Sequence, residues 1–285
     1  LADNAGNLAD QDDDSPDWIE LKNPNPFSLE LGGYFLTDDP ANLKAWLLPN
    51  ARIPPSGHLV VFASGKDRRE PSAELHTNFK LDPKGDYLAL VDRDGTRILQ
   101  QFPPDYPTTQ TFPKQRQNIR FGLDASGKVG FFRPPTPGAS NGTAFDGIVA
   151  DTQFSSDRGF YETNLAVEIT CATPGAVIRY TTDRSVPTAT KGRLYASPVP
   201  ITTTTVLRAA AFKAGWAPTD VDTHTYVFPT NVISSPVMRT TITRDPVYGP
   251  QMRAALLDVP SVSLVTTGTF NDTTEVKTSF EWLRP

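Results

Sequence analysis

The sequence has little of what disulfides, metal sites, membrane spans and nucleic-acid interfaces require. It contains one cysteine, which excludes a disulfide within the chain. Its three histidines are far apart in the sequence, so they do not indicate a zinc site. No apolar run approaches the ~18 residues of a membrane-spanning helix. The sequence has 27 Lys and Arg and 32 Asp and Glu, so it lacks the excess of basic residues that nucleic-acid binding needs. We therefore expect no nucleic-acid partner and no membrane span in this sequence.

Signatures of catalysis are also missing. There is no Gly-x-Ser-x-Gly nucleophile elbow, no phosphate-binding glycine loop, and no Cys or carboxylate at metal-ligand spacing from a histidine. The 27 prolines, about twice the average share, are spread along the chain and disfavour long helices. These absences predict a protein of short strands that is not an enzyme by itself and requires no cofactor.

Short alternating segments recur roughly every ten residues, the spacing typical of a β-sandwich. The continuous apolar run His58–Ala63 predicts a strand that is buried on both faces. Residues 92–95 predict a hairpin turn in which Gly95 adopts a positive φ. The other strong strand patterns lie at residues 17–21, 34–37, 87–91, 166–171, 177–182, 205–212 and 260–266.

Residues 133–142 mark a domain boundary, because three of the five residues from 133 to 137 are prolines that favour extended backbone. We predict an all-β fold with two immunoglobulin-like β-sandwich domains in tandem, over residues 1–142 and 143–228. A short C-terminal extension over 229–285 follows. Its last residues, from Phe280, form an alternating pattern typical of a strand cut off before its partner, so we expect the extension to lead into a missing C-terminal domain.

The acidic segment near the N-terminus is the candidate metal site. Asp10, Asp12, Asp13, Asp14 and Asp17 offer the carboxylate oxygens that calcium prefers. The segment lacks the sixth-position glycine and the distal glutamate of an EF-hand loop, so a solvated acidic segment is the alternative. Calcium at Asp10, Asp12, Asp14 and Asp17 is therefore the single cofactor prediction.

Aromatic residues provide the candidate ligand site. Trp216 lies in a loop pattern, Ala-Gly-Trp-Ala-Pro, and its ring could stack on a sugar together with Tyr195. Most aromatic residues of small β-sandwiches are core residues, which is the alternative for both side chains.

Residues 1–142 resemble the bacterial form of the lamin tail domain. The resemblance implies an immunoglobulin-like sandwich and extends in order over most of this block. It rests on Asp-Trp-Ile-Glu-Leu at 17–21, Asn23-Pro24, Tyr-Phe-Leu-Thr-Asp-Asp-Pro at 34–40, Trp46, Ile53-Pro54, residues 57–65, Asn-Phe-Lys-Leu at 78–81, Gly85-Asp86 and Pro-Thr-Pro-Gly at 135–138.

Residues 143–228 resemble the small β-sandwich at the C-terminus of chitobiase and hexosaminidase enzymes. The resemblance rests on Ala-Thr-Pro-Gly-Ala at 172–176, residues 178–183, Pro187-Thr188 and residues 207–216. The family usually has Asp-Gly-Ser in the turn where this chain has Asp183, Arg184 and Ser185. Arg184 is therefore expected to take the role of a turn glycine.

The extension is similar to the lead-in of a spore coat protein H-like kinase domain, on residues 258–266 and 279–282. Together the resemblances imply non-catalytic interaction or spacer modules of an exported bacterial multidomain protein, extracellular or at the cell surface, for display, docking or adhesion. Alternatives are a carbohydrate-binding accessory region and the N-terminal part of such a kinase. Expected partners are other domains of the same longer chain, and further candidates are a polysaccharide or a surface protein.

Overall fold

A computed structural model describes residues 1–268 and 275–284 of the chain. The fold is all-β, as predicted, and helices are short and confined to residues 229–258 of the described chain. It divides into two compact units, Leu1–Asp146 and Gly147–Pro285. Among the described residues, no helix has the length and apolar character needed to span a bilayer.

The first unit consists of short strands in four sheets. Its sheet orders are β1-β6-β7, β4-β3-β8-β9, β2-β5 and β10-β11, and β6 with β7 is a parallel pair. The strands are β1 Asp17–Lys22, β2 Leu29–Glu30, β3 Phe35–Thr37, β4 Trp46–Leu47, β5 Arg52–Ile53, β6 His58–Ala63, β7 Leu75–His76, β8 Leu88–Val91, β9 Ile98–Phe102, β10 Arg120–Leu123 and β11 Val129–Phe132.

The core of the first unit is built from the alternating positions of these strands. Ile19, Leu36, Trp46 and Val61 are almost completely buried and belong to one cluster. The prediction for His58–Ala63 is only half right, because the first three residues are partly exposed and the last three are buried. The turn between β8 and β9 is as predicted: Gly95 has φ +68° and its N–H donates to the carbonyl of Asp92 at 3.0 Å.

A buried asparagine fixes the loop that follows β1. The Nδ2 of Asn23 donates to the carbonyl oxygens of Phe27, Ile53 and Pro54 at 2.7, 3.2 and 3.0 Å. Asn23 is fully buried, so these bonds satisfy an amide that would otherwise destabilise the fold. This is the structural role of the Asn-Pro motif in the first unit.

The second unit combines a five-stranded sheet, ordered β13-β20-β19-β16-β17, with the pairs β12-β15, β14-β18 and β21-β22. The strands are β12 Thr152–Phe154, β13 Gly159–Phe160, β14 Leu165–Val167, β15 Ile169–Cys171, β16 Val177–Thr181, β17 Arg193–Leu194, β18 Val199–Ile201, β19 Thr205–Phe212, β20 Asp222–Val227, β21 Ser261–Thr266 and β22 Thr278–Leu283. The helices are α1 Pro229–Ile233, α2 Thr240–Thr243 and α3 Met252–Asp258, with a 3-10 turn at Gly249–Gln251.

The two faces of β20 pack against different layers. Tyr226 is fully buried in the core of the second unit, and His224 stacks on Phe154 with ring centroids 4.2 Å apart. Thr223 and Thr225 alternate with them and therefore lie on the opposite face. That face is covered by the β21–β22 hairpin.

The hairpin overturns the expectation that the strand beginning near Phe280 lacks its partner. Strand β22 pairs with β21 in antiparallel register from Ser261↔Leu283 to Thr266↔Thr278. Polar contacts join the hairpin to β20: Thr225 Oγ1 lies 2.7 Å from Ser263 Oγ, and Thr223 Oγ1 lies 3.1 Å from Ser279 Oγ. The partner strand was missed because 11 residues separate β21 from β22 in the sequence.

Candidate functional site

Three of the four predicted calcium ligands converge. The carboxylates of Asp10, Asp12 and Asp14 offer oxygens that all lie within 4.8 Å of one another. Asp10 shapes this loop, because its Oδ1 accepts the N–H groups of Asp12 and Asp14 at 2.9 and 3.1 Å. Asp13 turns the chain with φ +60° and is exposed.

A lysine ammonium lies at the centre of these carboxylates. The Nζ of Lys66 is 2.5, 2.6 and 2.8 Å from the Oδ2 atoms of Asp10, Asp12 and Asp14. The Nη2 of Arg68 is 2.7 Å from Asp12 Oδ2, and its hydrogen bond, followed by that of Lys66, lowers the pKa of Asp12 to about 2. Lys66 thus neutralises the position that a bound cation would take, and calcium binding here stays a prediction.

Asp17 lies apart from the cluster formed by Asp10, Asp12 and Asp14. Its Oδ1 accepts the backbone N–H of Asn4 at 3.1 Å. Burial raises the pKa of Asp17, and the hydrogen bond from Asn4 opposes that rise. Asp17 therefore anchors the N-terminal segment instead of joining the other three carboxylates.

A buried histidine lies beneath the cluster. His76 Nδ1 is 2.9 Å from Ser64 Oγ and 4.0 Å from Asp10 Oδ2. In a catalytic triad a carboxylate hydrogen-bonds the imidazole nitrogen opposite the hydroxyl, whereas here the carboxylate on that side, Glu74 Oε2, is 4.0 Å from Nε2, beyond hydrogen-bond distance. The ring is also fully buried and stacks on Phe62 at 5.1 Å, and burial lowers the pKa of His76. The arrangement is structural.

The two predicted ligand-binding aromatics lie near one end of the five-stranded sheet, and the partly buried side chain of Tyr195 packs against the core of the second unit. Tyr195 donates its N–H to Ile178 O at 3.0 Å, beside the last residues of β19. Trp216 follows β19 in a turn and is half-buried. The Nζ of Lys213 is 4.0 Å from its ring centroid, and a Cβ added at Gly147 would meet the ring at 2.7 Å. Trp216 thus packs on its own unit and keeps part of the ring exposed.

Comparison with known families gives a match within the second unit. Residues 156–223 match the family model of the chitobiase/beta-hexosaminidase C-terminal domain. This confirms the resemblance of the second block, and the matched family is a non-catalytic, immunoglobulin-like accessory domain. A search of curated proteins gives no match to the chain. The resemblances of residues 1–142 to the lamin tail domain and of the extension to a kinase lead-in stay predictions.

Within the chitobiase C-terminal-type domain, Arg184 adopts the conformation that the sequence predicts for it. Its φ is +67°, in the left-handed region that favours glycine. Asp183 Oδ1 accepts the N–H of Ser185 at 3.0 Å, and Arg208 Nη1 donates to the Arg184 carbonyl at 2.9 Å. The turn therefore keeps the geometry of a glycine turn without the glycine.

The sequence analysis missed the residues that organise the cluster around Asp10. Lys66 and His76 lie more than 50 residues from Asp10, and neither belongs to a motif. One sequence feature could have pointed to Lys66: Ser64, Lys66 and Arg68 follow an apolar strand at short spacing. This spacing places a hydroxyl and two basic side chains in one loop.

Proposed function

We propose that this chain is a non-catalytic interaction region of an exported bacterial multidomain protein, and that its β21–β22 hairpin docks against another module of the same protein. Support comes from the match of residues 156–223 to a non-catalytic accessory domain whose family is typical of secreted glycosidases. Each unit also has its own buried core, as a modular protein requires.

The hairpin surface is the observation that carries the proposal. Val262, Leu264, Phe280 and Trp282 are 48, 53, 63 and 52% exposed and alternate with the residues that face β20. The register sets Val262 opposite Trp282 and Leu264 opposite Phe280, so the four side chains form one patch. Contiguous exposed apolar surface of this kind is typical of interaction sites.

The size of the patch favours a partner in the same chain. Four half-exposed side chains present on the order of 500 Å², given roughly 150–250 Å² for each fully buried large aromatic. Stable complexes between separate molecules bury about 800 Å² on each partner. A tethered module needs less area, because the linker supplies a high effective concentration.

The double variant Leu264→Ser/Phe280→Ser tests the docking. It is compared in two backgrounds: the 285-residue chain and the full-length protein that contains it. In the short chain we expect a small change, about 0.2–1 kcal/mol for a lost cross-strand pair. In the full-length protein we expect a larger fall in the unfolding temperature of the second unit, because docking to the folded state adds stability.

Phe27→Ser serves as the matched control, since Phe27 is 61% exposed and belongs to the first unit. Its effect should be the same in both backgrounds. Equal effects of the double variant in both backgrounds would show that no module covers the hairpin.

Carbohydrate binding at Trp216 and Tyr195 is the second candidate function. It is supported by the exposed part of the Trp216 ring and by the position of both aromatics near one sheet end. A polysaccharide array tests it, with Trp216→Ala and, as a control, Tyr248→Ala, which removes an exposed aromatic elsewhere. Sugar binding that falls only in Trp216→Ala supports the site, and binding that is unchanged in that variant rejects it.

A further inference from the structure

The first unit contains a cavity of about 430 Å³, and its lining residues indicate how it lies between the strands. Strand β8 contributes only Leu88 and Leu90, which alternate and therefore share one face. Strands β1 and β10 instead contribute every residue from Trp18 to Lys22 and from Arg120 to Leu123. Successive side chains of a strand point to opposite faces, so a cavity that meets all of them runs along the edge of the strand. The cavity thus lies between the edges of β1 and β10, over the face of β8.

The edge of β1 that borders the cavity has no partner strand. β1 pairs on its other side with β6, and within the described part of the chain no second strand lies beside it. Trp18 exchanges both backbone hydrogen bonds with Leu1, at 3.0 and 2.7 Å, so its N–H and C=O point away from β6. In an antiparallel pair this orientation recurs at every second residue. The N–H and C=O groups of Glu20 and Lys22 therefore also point to the side without a strand.

The edge of β10 that borders the cavity lacks a partner strand in the same way. Phe131 of β11 exchanges both backbone hydrogen bonds with Phe145, at 2.9 Å each, and therefore points away from β10. Phe121 lies opposite Phe131, so its own N–H and C=O point away from β11, and those of Leu123 do so two residues later. The Leu123 carbonyl accepts Nδ2 of Asn141 at 2.6 Å. Unpaired edges of this kind are templates for a further strand.

The N-terminal segment already runs between these two edges. The mutual N–H···O bonds between Leu1 and Trp18 are those of an antiparallel pair. On the other side, the Asp3 carbonyl accepts the N–H of Asn118 at 2.9 Å, two residues before β10 begins. Leu1 itself lines the cavity. Residues placed before Leu1 in the same direction would therefore pass Glu20 and enter the cavity.

The nitrogen of Leu1 lies where a terminal amine is unfavourable. Leu1 is 8% exposed, and desolvation by burial lowers the pKa of its amino group to about 5. A peptide N–H at the same position would donate the same hydrogen bond to the Trp18 carbonyl and would carry no charge to desolvate. The surroundings of Leu1 therefore favour a peptide bond over a chain terminus.

We propose that the residues immediately before Leu1 in the full-length protein fill this cavity as a strand between β1 and β10. This strand places apolar side chains on Leu88 and Leu90, and it joins the sheets β1-β6-β7 and β10-β11 into one. The inference is independent of the hairpin docking, because it concerns only the first unit.

Amide hydrogen exchange tests the proposal in two chains: residues 1–285, and the same chain preceded by the ten residues of its natural sequence. We expect at least tenfold slower exchange at Glu20, Lys22, Phe121 and Leu123 in the extended chain, because their N–H groups gain a partner strand. The matched control carries ten Gly and Ser residues before Leu1 and should exchange like residues 1–285. Equal exchange in the natural extension and in the Gly-Ser control overturns the proposal.

Binding of a neutral apolar dye, N-phenyl-1-naphthylamine, measures directly whether the cavity is open. The dye should bind residues 1–285 and the Gly-Ser control, and at least tenfold more weakly the natural extension, whose strand fills the cavity. In residues 1–285 the variant Leu90→Trp should weaken dye binding, because Leu90 lines the cavity. Leu99→Trp, at an exposed residue outside the lining, is its control. Equal dye binding by the natural extension and by residues 1–285 overturns the proposal.

Discussion

Arg184 shows how far one residue can depart from the pattern of its family while the local fold is kept. A left-handed backbone costs an ordinary residue about 1–2 kcal/mol relative to glycine. The turn survives because bonds to neighbouring groups, including the one from Arg208 to the Arg184 carbonyl, hold the backbone in place. The side chain of Arg184 is exposed, so its replacement leaves the packing unchanged.

Replacing Arg184 by glycine should therefore stabilise the second unit. The free energy gained by relieving the backbone strain exceeds the free-energy cost of the extra entropy that glycine gives the unfolded chain. The expected net stabilisation is about 0.5–1 kcal/mol. Urea denaturation measures the difference, and Arg184→Ala, which keeps the Cβ, should show no gain. A less stable Arg184→Gly variant would mean that the side chain itself supports the turn.

His224 should make the stability of the second unit depend on pH. Burial, followed by the positive charge of Arg158, lowers the pKa of His224 below its ordinary value of 6.5. The unfolded chain then takes up a proton at a higher pH than the folded chain does. The stability present above pH 6.5 is therefore lost as the pH falls from 6.5 toward the lower pKa of the folded state.

The variant His224→Phe removes this titration and keeps the stacking on Phe154. The free energy of unfolding, measured by urea denaturation between pH 8 and pH 5, should fall less steeply in the variant. His76 also has a lowered pKa, but it belongs to the first unit, so its titration should affect the stability of that unit instead. Identical slopes for the two proteins would show that His224 titrates alike in the folded and unfolded states.

At the scale of elements, ion pairs attach the N-terminal loop to the segment after β6. Lys66 joins Asp10, Asp12 and Asp14, which are more than 50 residues away in sequence. The pairing of β1 with β6 brings the two segments together, because Asp17 lies opposite Ala63. The ion pairs therefore stabilise both the conformation of the N-terminal loop and the position of the Lys66 side chain.

The variant Lys66→Met should leave Asp10 and Asp14 without their counter-charge, while Arg68 still pairs with Asp12. We expect a lower unfolding temperature and a partial recovery when calcium is added, since calcium favours several carboxylate oxygens. The unmodified chain should show a smaller calcium shift, because calcium must first displace Lys66. Scanning calorimetry with calcium and with EDTA measures both shifts, and an equal shift in the two proteins would show that Lys66 does not compete with calcium.

Glu281 holds the β21–β22 hairpin on β20 by a buried contact. It is 2% exposed and accepts the N–H of Thr225 at 3.0 Å as well as its hydroxyl. Arg158 Nη1 lies 3.6 Å from Glu281 Oε1. The hairpin is therefore joined to the sheet by these polar groups together with the buried side chains of Val265 and Leu283.

The variant Glu281→Ala leaves these donors unpaired, at about 1–3 kcal/mol for each buried donor. Amide hydrogen exchange should become faster in β21 and β22, because the hairpin separates from β20 more often. Glu168→Ala, at an exposed glutamate, is the control and should not change these rates. Unchanged exchange in Glu281→Ala would mean that apolar contacts hold the hairpin.

The alternating pattern was enough to predict most strands. The Gly95 turn was predicted from the turn residues 92–95, and the positive φ of Arg184 from the resemblance of the second block to its family. Alternating patterns report which residues share a face, and they carry no information on which strands pair across long separations. The contacts of Lys66 with Asp10 and of Arg120 with Glu20 depend on that long-range pairing and could not be predicted. The same limit explains why the partner of the strand beginning near Phe280 was missed.

At the scale of the whole molecule, each of the two units has one surface feature of its own. The first unit contains a cavity lined mostly by apolar side chains, and the second presents the exposed hairpin face. The second unit contains a match to a non-catalytic accessory domain, which agrees with a role in interactions. We propose that another module of the same protein covers the hairpin.

Hydroxyl-radical footprinting of the full-length protein and of the 285-residue chain tests this claim most directly. Phe280 and Trp282 should be oxidised several-fold more slowly in the full-length protein, because the docked module shields them. Phe27 and Tyr248, each 61% exposed outside the hairpin, should react alike in both. Equal oxidation of Phe280 and Trp282 in the two proteins would contradict the account.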